Sequence, residues 1–166
     1  SPKLRQKIFY WAVSVGKEVA NKYTCNGEKP TGLLAIKYAI ANKLVFSKLR
    51  ARVGGRMKLF ISGGGALMPE IAEFFTAAGL IILEGYGLTE TSPVITVNQP
   101  NKLKFGFVGR PITGVEVKIA EDGEILCKGD NVMKGYFKND EATAEVFENG
   151  WFKTGDIGLI DNDGFL

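Results

Sequence analysis

Leu4, Ile8, Trp11, Ala12, Val15 and Val19 recur at the spacing of one helix face, and Ser1-Pro2 in front of them supplies an N-cap followed by a proline at the first helical position. An amphipathic helix is predicted there. Asn26-Gly27-Glu28-Lys29-Pro30-Thr31-Gly32 reads as a loop, after which Leu33, Ile36, Ile40, Leu44 and Val45 predict a second helix reaching about Val53, stopped by Gly54-Gly55. Leu59-Phe60-Ile61 is a short apolar run that ends in Ser62-Gly63-Gly64-Gly65. Pro69 then opens a helix through Ile71, Phe74, Phe75 and Ala78 that Gly79 ends, and Leu80 to Leu83 is a second buried strand. Strand, helix and strand, with both strands almost continuously apolar, predict a parallel βαβ unit covered on both faces. Ligands of such sheets sit beyond the carboxyl ends of the strands, here 62–66 and 84–90.

From about Gly109 the pattern shortens to strand-sized pieces between turn residues: Val115 to Ile119, an Asp122-Gly123 turn, Glu124 to Cys127, Trp151-Phe152 and Gly158 to Ile160. A short helix over Ala142 to Phe147, capped by Asn139 or Asp140, interrupts them. The predicted class is therefore α/β: a parallel βαβ unit with flanking helices over 1–108, followed by a small, mostly antiparallel β-subdomain over 109–166. The chain stops just past the turn Asp161-Asn162-Asp163-Gly164, which predicts that it is a segment of a longer polypeptide.

Composition narrows the chemistry. A chain of 166 residues, 45% hydrophobic and 23% charged, has the make-up of a folded globular domain, and a chain of that length buries roughly 70% of its unfolded surface. It contains no histidine, which excludes a Ser-His-Asp triad, a Cys-His pair and a His-ligated metal built from these residues. Cys25 and Cys127 stand far apart, without metal-ligand spacing, and fit a reducing, cytoplasmic setting. No apolar run is long enough to span a bilayer, and residues 1–20 lack the apolar core of a signal peptide. The net charge is +3, but Lys37, Lys43, Lys48, Arg50, Arg52, Arg56 and Lys58 crowd one stretch. That stretch reads as a solvated helix face with a basic end; contact with phosphate, anionic lipid or nucleic acid is the alternative.

Three segments carry candidate chemistry. Gly85-Tyr86-Gly87-Leu88-Thr89-Glu90-Thr91 follows a buried strand: its glycines let backbone N–H groups approach an anion, Thr89 offers a hydroxyl to a phosphate, Glu90 a carboxylate to Mg²⁺, and Tyr86 a flat face to a base. Taken alone it is equally a strand-to-loop turn. It is neither a dinucleotide fingerprint nor a Walker A loop. Ser62-Gly63-Gly64-Gly65-Ala66 either lines a flat ligand or is a tight strand-to-helix turn. Thr154-Gly155-Asp156 either presents a carboxylate to ribose hydroxyls or forms an Asx turn. Asp161-Asn162-Asp163-Gly164 lacks a calcium-loop frame and reads as a plain turn.

In order, these segments resemble the adenylate-forming superfamily of acyl-CoA synthetases, luciferases and peptide-synthetase adenylation domains. Phe60-Ile61-Ser62-Gly63-Gly64-Gly65-Ala66-Leu67 resembles its glycine-rich adenine segment, and Glu84-Gly85-Tyr86-Gly87-Leu88-Thr89-Glu90-Thr91 its central motif. Gly123-Glu124-Ile125-Leu126-Cys127-Lys128-Gly129, Val132-Met133-Lys134-Gly135-Tyr136-Phe137 and Gly150-Trp151-Phe152-Lys153-Thr154-Gly155-Asp156 are similar to the motifs that follow. Within the superfamily, the run from Leu44 to Arg56 and the segment Gly150 to Leu166 resemble long-chain fatty-acyl-CoA synthetases.

The resemblance implies a set of expectations. ATP or AMP, Mg²⁺ and coenzyme A are the cofactors, and a fatty acid is the substrate. Glu84, Gly85 and Tyr86 meet the adenine, with Gly64, Gly65 and Ala66 in the pocket wall. Thr89 contacts the α-phosphate, Glu90 ligates Mg²⁺, and Asp156 holds the ribose hydroxyls; Thr89 and Glu90 are the catalytic pair. The family's upstream phosphate-gripping loop, its arginine beyond Asp156, its hinge and its C-terminal lysine domain are not in this sequence, so the isolated chain is expected to be inactive and prone to self-association. An acyl-AMP ligase that loads a carrier protein, and a non-catalytic binding module of the same fold, are the competing expectations. The expected setting is cytoplasmic, without nucleic acid, with peripheral contact at the inner membrane surface.

Overall fold

The computed structural model describes residues 2–166, so the expected N-cap at Ser1 lies outside the described residues. The class is the expected α/β, with parallel and antiparallel pairing. The chain separates into two compact units. Of the described residues, the first comprises 2–62, 66–83 and 99–106, and the second 63–65, 84–98 and 107–166.

In the first unit, α1 (Pro2–Lys22) buries Ala12, Val15, Gly16, Val19 and Ala20. The turn Thr24–Asn26 follows, and then α2 (Gly32–Ala41), a π-helical turn (Asn42–Phe46) and α3 (Ser47–Arg52) replace the single helix expected over 33–53. Phe46 is fully buried with Ala12, Val15, Ala41 and Ala78, against Leu34, Tyr38, Val45 and Leu49. The expected core stripe is the one left outside: Leu33, Ile36, Ile40 and Leu44 are all exposed. This helix is apolar nearly all round, so spacing alone does not select the buried side. The π turn also widens the helix by one residue per turn, which carries Phe46 inward.

β1 (Leu59–Ser62), α4 (Pro69–Ala77) and β2 (Ile81–Gly87) form the expected strand-helix-strand unit, with β1 beside β2. β1 is a sheet edge and is not covered on both faces as expected: Leu59 and Ile61 are exposed. α1 is tied to α4 by Lys17 Nζ to Glu73 at 2.6 Å and by Asn21 Nδ2 to Glu73 Oε1 at 2.6 Å. Arg50 Nη1 donates to Ala78 O at 2.6 Å and so closes the carboxyl end of α4.

In the second unit β2 continues as an antiparallel ladder with β3 (Val94–Val97), which pairs in turn with β4 (Arg110–Pro111). The other sheet is antiparallel throughout: β5 (Val115–Ile119), β6 (Glu124–Gly129), β8 (Trp151–Ile157) and β7 (Phe147–Glu148), in that spatial order. α5 (Asp140–Val146) is capped by Asn139, whose Oδ1 accepts from Ala142 N at 3.1 Å. Ile95, Cys127 and Phe152 form the core, with Tyr86 and Leu88 packed against it. The strand expected over Gly158 to Ile160 does not form. β8 instead runs on to Ile157, after which Leu159 and Ile160 are exposed, with a single backbone bond from Gly158 N to Gly123 O at 3.0 Å. Asp161 to Gly164 is the expected turn, with Asp161 Oδ1 accepting from Asp163 N and Phe165 N, both at 2.9 Å.

Candidate functional site

β2 delivers Glu84, Gly85, Tyr86 and Gly87 in succession and then turns sharply. At Gly87 glycine is obligatory: a Cβ there would stand 1.7 Å from Pro93 O. The sharp return lets Thr91 lock the loop. Its buried Oγ1 accepts from Leu88 N at 3.0 Å and donates to Pro93 O at 2.6 Å. Thr89 and Glu90 ride on the 3₁₀ turn Thr89–Thr91, with Thr89 exposed and Glu90 half-buried. Ser92 closes the loop at φ 56, a left-handed value that a residue with a Cβ seldom adopts.

A second segment fastens this loop. Asn131 Nδ2 donates to Thr91 O at 3.0 Å and to Val94 O at 2.8 Å, and Met133 N donates to Glu90 O at 2.7 Å. Tyr136 Oη donates to Glu90 Oε1 at 2.9 Å. Neither Asn131 nor Tyr136 was assigned a role from the sequence. The available signal was the motif Val132 to Phe137, whose partner loop lies some forty residues earlier in the chain.

Tyr86 points at Asp156: its hydroxyl donates to Asp156 Oδ2 at 2.6 Å. Asp156 is exposed on β8, and the bend beneath it is built by three bonds. Thr154 Oγ1 donates to Ile125 O at 2.8 Å and accepts from Asp156 N at 3.2 Å, and Gly155 N donates to Glu124 Oε1 at 2.8 Å. The Asp156 turn is thus held by a threonine hydroxyl, with the aspartate carboxylate turned outward. Burial, and then the bond to Asp156, push the Tyr86 phenol well above its ordinary range, and the bond to Glu90 raises Tyr136. Both hydroxyls therefore stay protonated donors at neutral pH.

Gly64 and Gly65 are exposed in the second unit, and a Cβ at either would meet nothing within 4 Å. Glu84 is buried, with its carbonyl accepting from Asn98 N at 2.8 Å, and Gly85 faces Thr96 across the ladder closely enough that a Cβ would lie 3.2 Å from Thr96 O. Of the expected site residues, Gly64, Gly65, Glu84, Gly85, Tyr86, Thr89, Glu90 and Asp156 fall in the second unit, while Ala66 belongs to the first. Among the described residues no three acidic, cysteine or histidine side chains group to hold a metal. A lone carboxylate such as Glu90 nonetheless suits Mg²⁺, which takes one or two protein carboxylates and completes its shell with water and substrate phosphates.

The strand-end loop thus carries a hydroxyl and a carboxylate, and the outward aspartate lies in the same unit. The family model described as AMP-binding enzyme matches residues 18–137, and the chain belongs to that family. The long-chain-fatty-acid--CoA ligase FadD15 of Mycobacterium bovis is 45% identical over 156 residues, which are 94% of this chain and 26% of that protein. The long-chain-fatty-acid--[acyl-carrier-protein] ligase AEE15 of Arabidopsis thaliana is 41% identical over 135 residues, 74% of this chain and 18% of that one. The solved o-succinylbenzoate CoA synthetase of Bacillus subtilis, in complex with its acyl-adenylate intermediate, superposes with a TM-score of 0.61 at 34% identity, covering 72% of this chain and 36% of that one. The chain spans about a quarter of the length of the mycobacterial ligase. No described helix is long and apolar enough to cross a membrane.

Proposed function

We propose that this chain is the part of a fatty-acid ligase that holds AMP during acyl activation: the whole protein joins a long-chain fatty acid to ATP as an acyl-adenylate and passes the acyl group to coenzyme A. The observation that carries the reading is the pairing of Tyr86 with Asp156 and of Tyr136 with Glu90 within one unit, in a chain of the AMP-binding family. Support for the substrate comes from the 45% identity to a long-chain-fatty-acid--CoA ligase.

In this reading the fatty-acid carboxylate attacks the α-phosphorus of ATP and pyrophosphate leaves. Thr89 donates its hydroxyl to an α-phosphate oxygen, and Asp156, its carboxylate oriented by the bond from Tyr86, accepts from the ribose hydroxyls. Glu84, Gly85, the Tyr86 ring, Gly64, Gly65 and Ala66 border the adenine. Glu90 would hold Mg²⁺, with its carboxylate oriented by the hydrogen bond from Tyr136. Bound there, Mg²⁺ supplies positive charge against the developing charge on the phosphates. The isolated chain is inactive because preorganised electrostatics need the complete shell. Its exposed Leu33, Ile36, Ile40 and Leu44 favour self-association. The two free thiols agree with a cytoplasmic setting, and the basic stretch 37–58 with peripheral contact at its membrane surface.

A second reading has the acyl group passed to a carrier protein; the 41% identity to an acyl-carrier-protein ligase favours it. Supplying the full-length protein with palmitate, ATP and Mg²⁺ and either coenzyme A or holo acyl-carrier protein separates the two. Palmitoyl-CoA is the expected product, and palmitoylated carrier protein alone would replace the first reading with the second.

A further inference from the structure

The segment 131–136 grips the Thr89–Thr91 loop at three levels: Asn131 holds the carbonyls of Thr91 and Val94, Met133 N–H holds the carbonyl of Glu90, and Tyr136 Oη holds the Glu90 carboxylate. The last contact is the only one of the three made to a side chain with chemistry to perform. Tyr136 is itself set by a built cradle. Its N–H donates to Thr143 Oγ1 at 2.9 Å, and Thr143 Oγ1 donates to Asn139 O at 2.8 Å. Gly135 sits at φ 152, where a Cβ would lie 2.7 Å from the Thr143 side chain, so the backbone can deliver Tyr136 in this way only from a glycine. Nothing in loop closure requires the phenol hydroxyl, because Asn131 and Met133 already fasten the backbone.

We infer that Tyr136 is a positioning residue for metal binding: its hydroxyl holds the Glu90 carboxylate in the orientation from which it would bind the metal. The inference rests on the proposed metal role of Glu90. A hydrogen bond to a carboxylate narrows the orientations it adopts, and metal ligands supported in this way lose roughly 10–100-fold in metal affinity when the supporting group is removed.

The test is Mn²⁺ binding to the full-length protein in the presence of ATP, read by the electron paramagnetic resonance of free Mn²⁺, alongside AMP binding without metal and the kcat and KM for ATP. Tyr136→Phe is expected to weaken Mn²⁺ binding roughly tenfold or more, with metal-free AMP binding unchanged. Glu90→Ala is expected to lose Mn²⁺ binding altogether. Thr143→Val, which removes the cradle hydroxyl at constant shape, is expected to shift Mn²⁺ binding in the same direction by less, and it carries the test if Tyr136→Phe does not fold. Raised Mg²⁺ is expected to restore the rate of Tyr136→Phe. Mn²⁺ binding by Tyr136→Phe within about twofold of wild type, with Glu90→Ala deficient, overturns the positioning role and leaves the reading of Glu90 intact. Unchanged Mn²⁺ binding in Glu90→Ala overturns both. Parallel loss of AMP and Mn²⁺ binding in Tyr136→Phe reduces the residue to a structural one and also overturns the inference.

Discussion

Replacing Gly87 by alanine tests the claim that the return of β2 onto β3 shapes the site. The new Cβ would lie 1.7 Å from Pro93 O, 2.7 Å from Pro93 C and 3.0 Å from Ile95 N, all backbone atoms that cannot swing aside as a side chain does. Pro93 must retreat by about 1.3 Å merely to reach the closest approach a Cβ tolerates, a strain on the order of 1–3 kcal/mol. That shift also pulls Pro93 O from Thr91 Oγ1, now at 2.6 Å, at a further cost of about 1 kcal/mol. The sum, roughly 2–4 kcal/mol, corresponds to a fall of roughly 4–16 °C in the melting of a domain of this size, and to a smaller one in a longer protein. Gly85→Ala is the comparison: its Cβ would meet Thr96 O at 3.2 Å, a misfit of a few tenths of an ångström costing about 1 kcal/mol. Gly65→Ala, with open space around it, is the control expected to melt like wild type. Thermal unfolding of the full-length variants, followed by tryptophan fluorescence, reads the order. A Gly87→Ala variant that melts like wild type, or no lower than Gly85→Ala, would refute this.

Asp156→Asn removes the charge that Tyr86 and, in the proposed function, the ribose hydroxyls share. AMP affinity is expected to fall roughly tenfold to a hundredfold, with the preference for ATP over 2′-deoxy-ATP lost, as measured by competition binding. Retention of that preference would remove Asp156 from the sugar site. Burial pushes the Cys25 and Cys127 thiols up to about 11 from 9.0, Cys25 with a further push from Glu73. Both should therefore resist an aromatic disulfide reagent at pH 8 until the protein unfolds. Because the unfolded thiols ionise first, stability is full below pH 9 and falls as pH rises from 9.0 towards about 11. A denaturation midpoint that stays flat across that interval would contradict the assigned burial.

The sequence exposed those parts of the fold whose signals are local. Gly79 ends α4 as its position predicts, with Gly79 N donating to Thr76 O at 2.9 Å and Leu80 N to Phe75 O at 2.9 Å. β5 over Val115–Ile119 forms where the apolar alternation and the Asp122-Gly123 turn put it. What stayed hidden depended on partners distant in sequence. No strand was expected over Val94-Ile95-Thr96-Val97, a β-branched run lying between Pro93 and Pro100 that forms β3. The burial of Phe46 in place of Leu44 follows from a π turn that no three-to-four-residue count contains. At the site, Thr89, Glu90 and Asp156 were legible as residue types at strand ends. Their settings were not: the hydroxyl on Asp156 comes from Tyr86 and the one on Glu90 from Tyr136, across separations of 70 and 46 residues.

ATP–pyrophosphate exchange by the full-length protein, wild type beside Glu90→Ala, with acids from acetate to palmitate, asks whether the Thr89-Glu90 turn serves acyl adenylation. Exchange that favours the long acids and collapses in Glu90→Ala is expected; exchange that survives in the variant, or none with any acid in the wild type, would overturn that role.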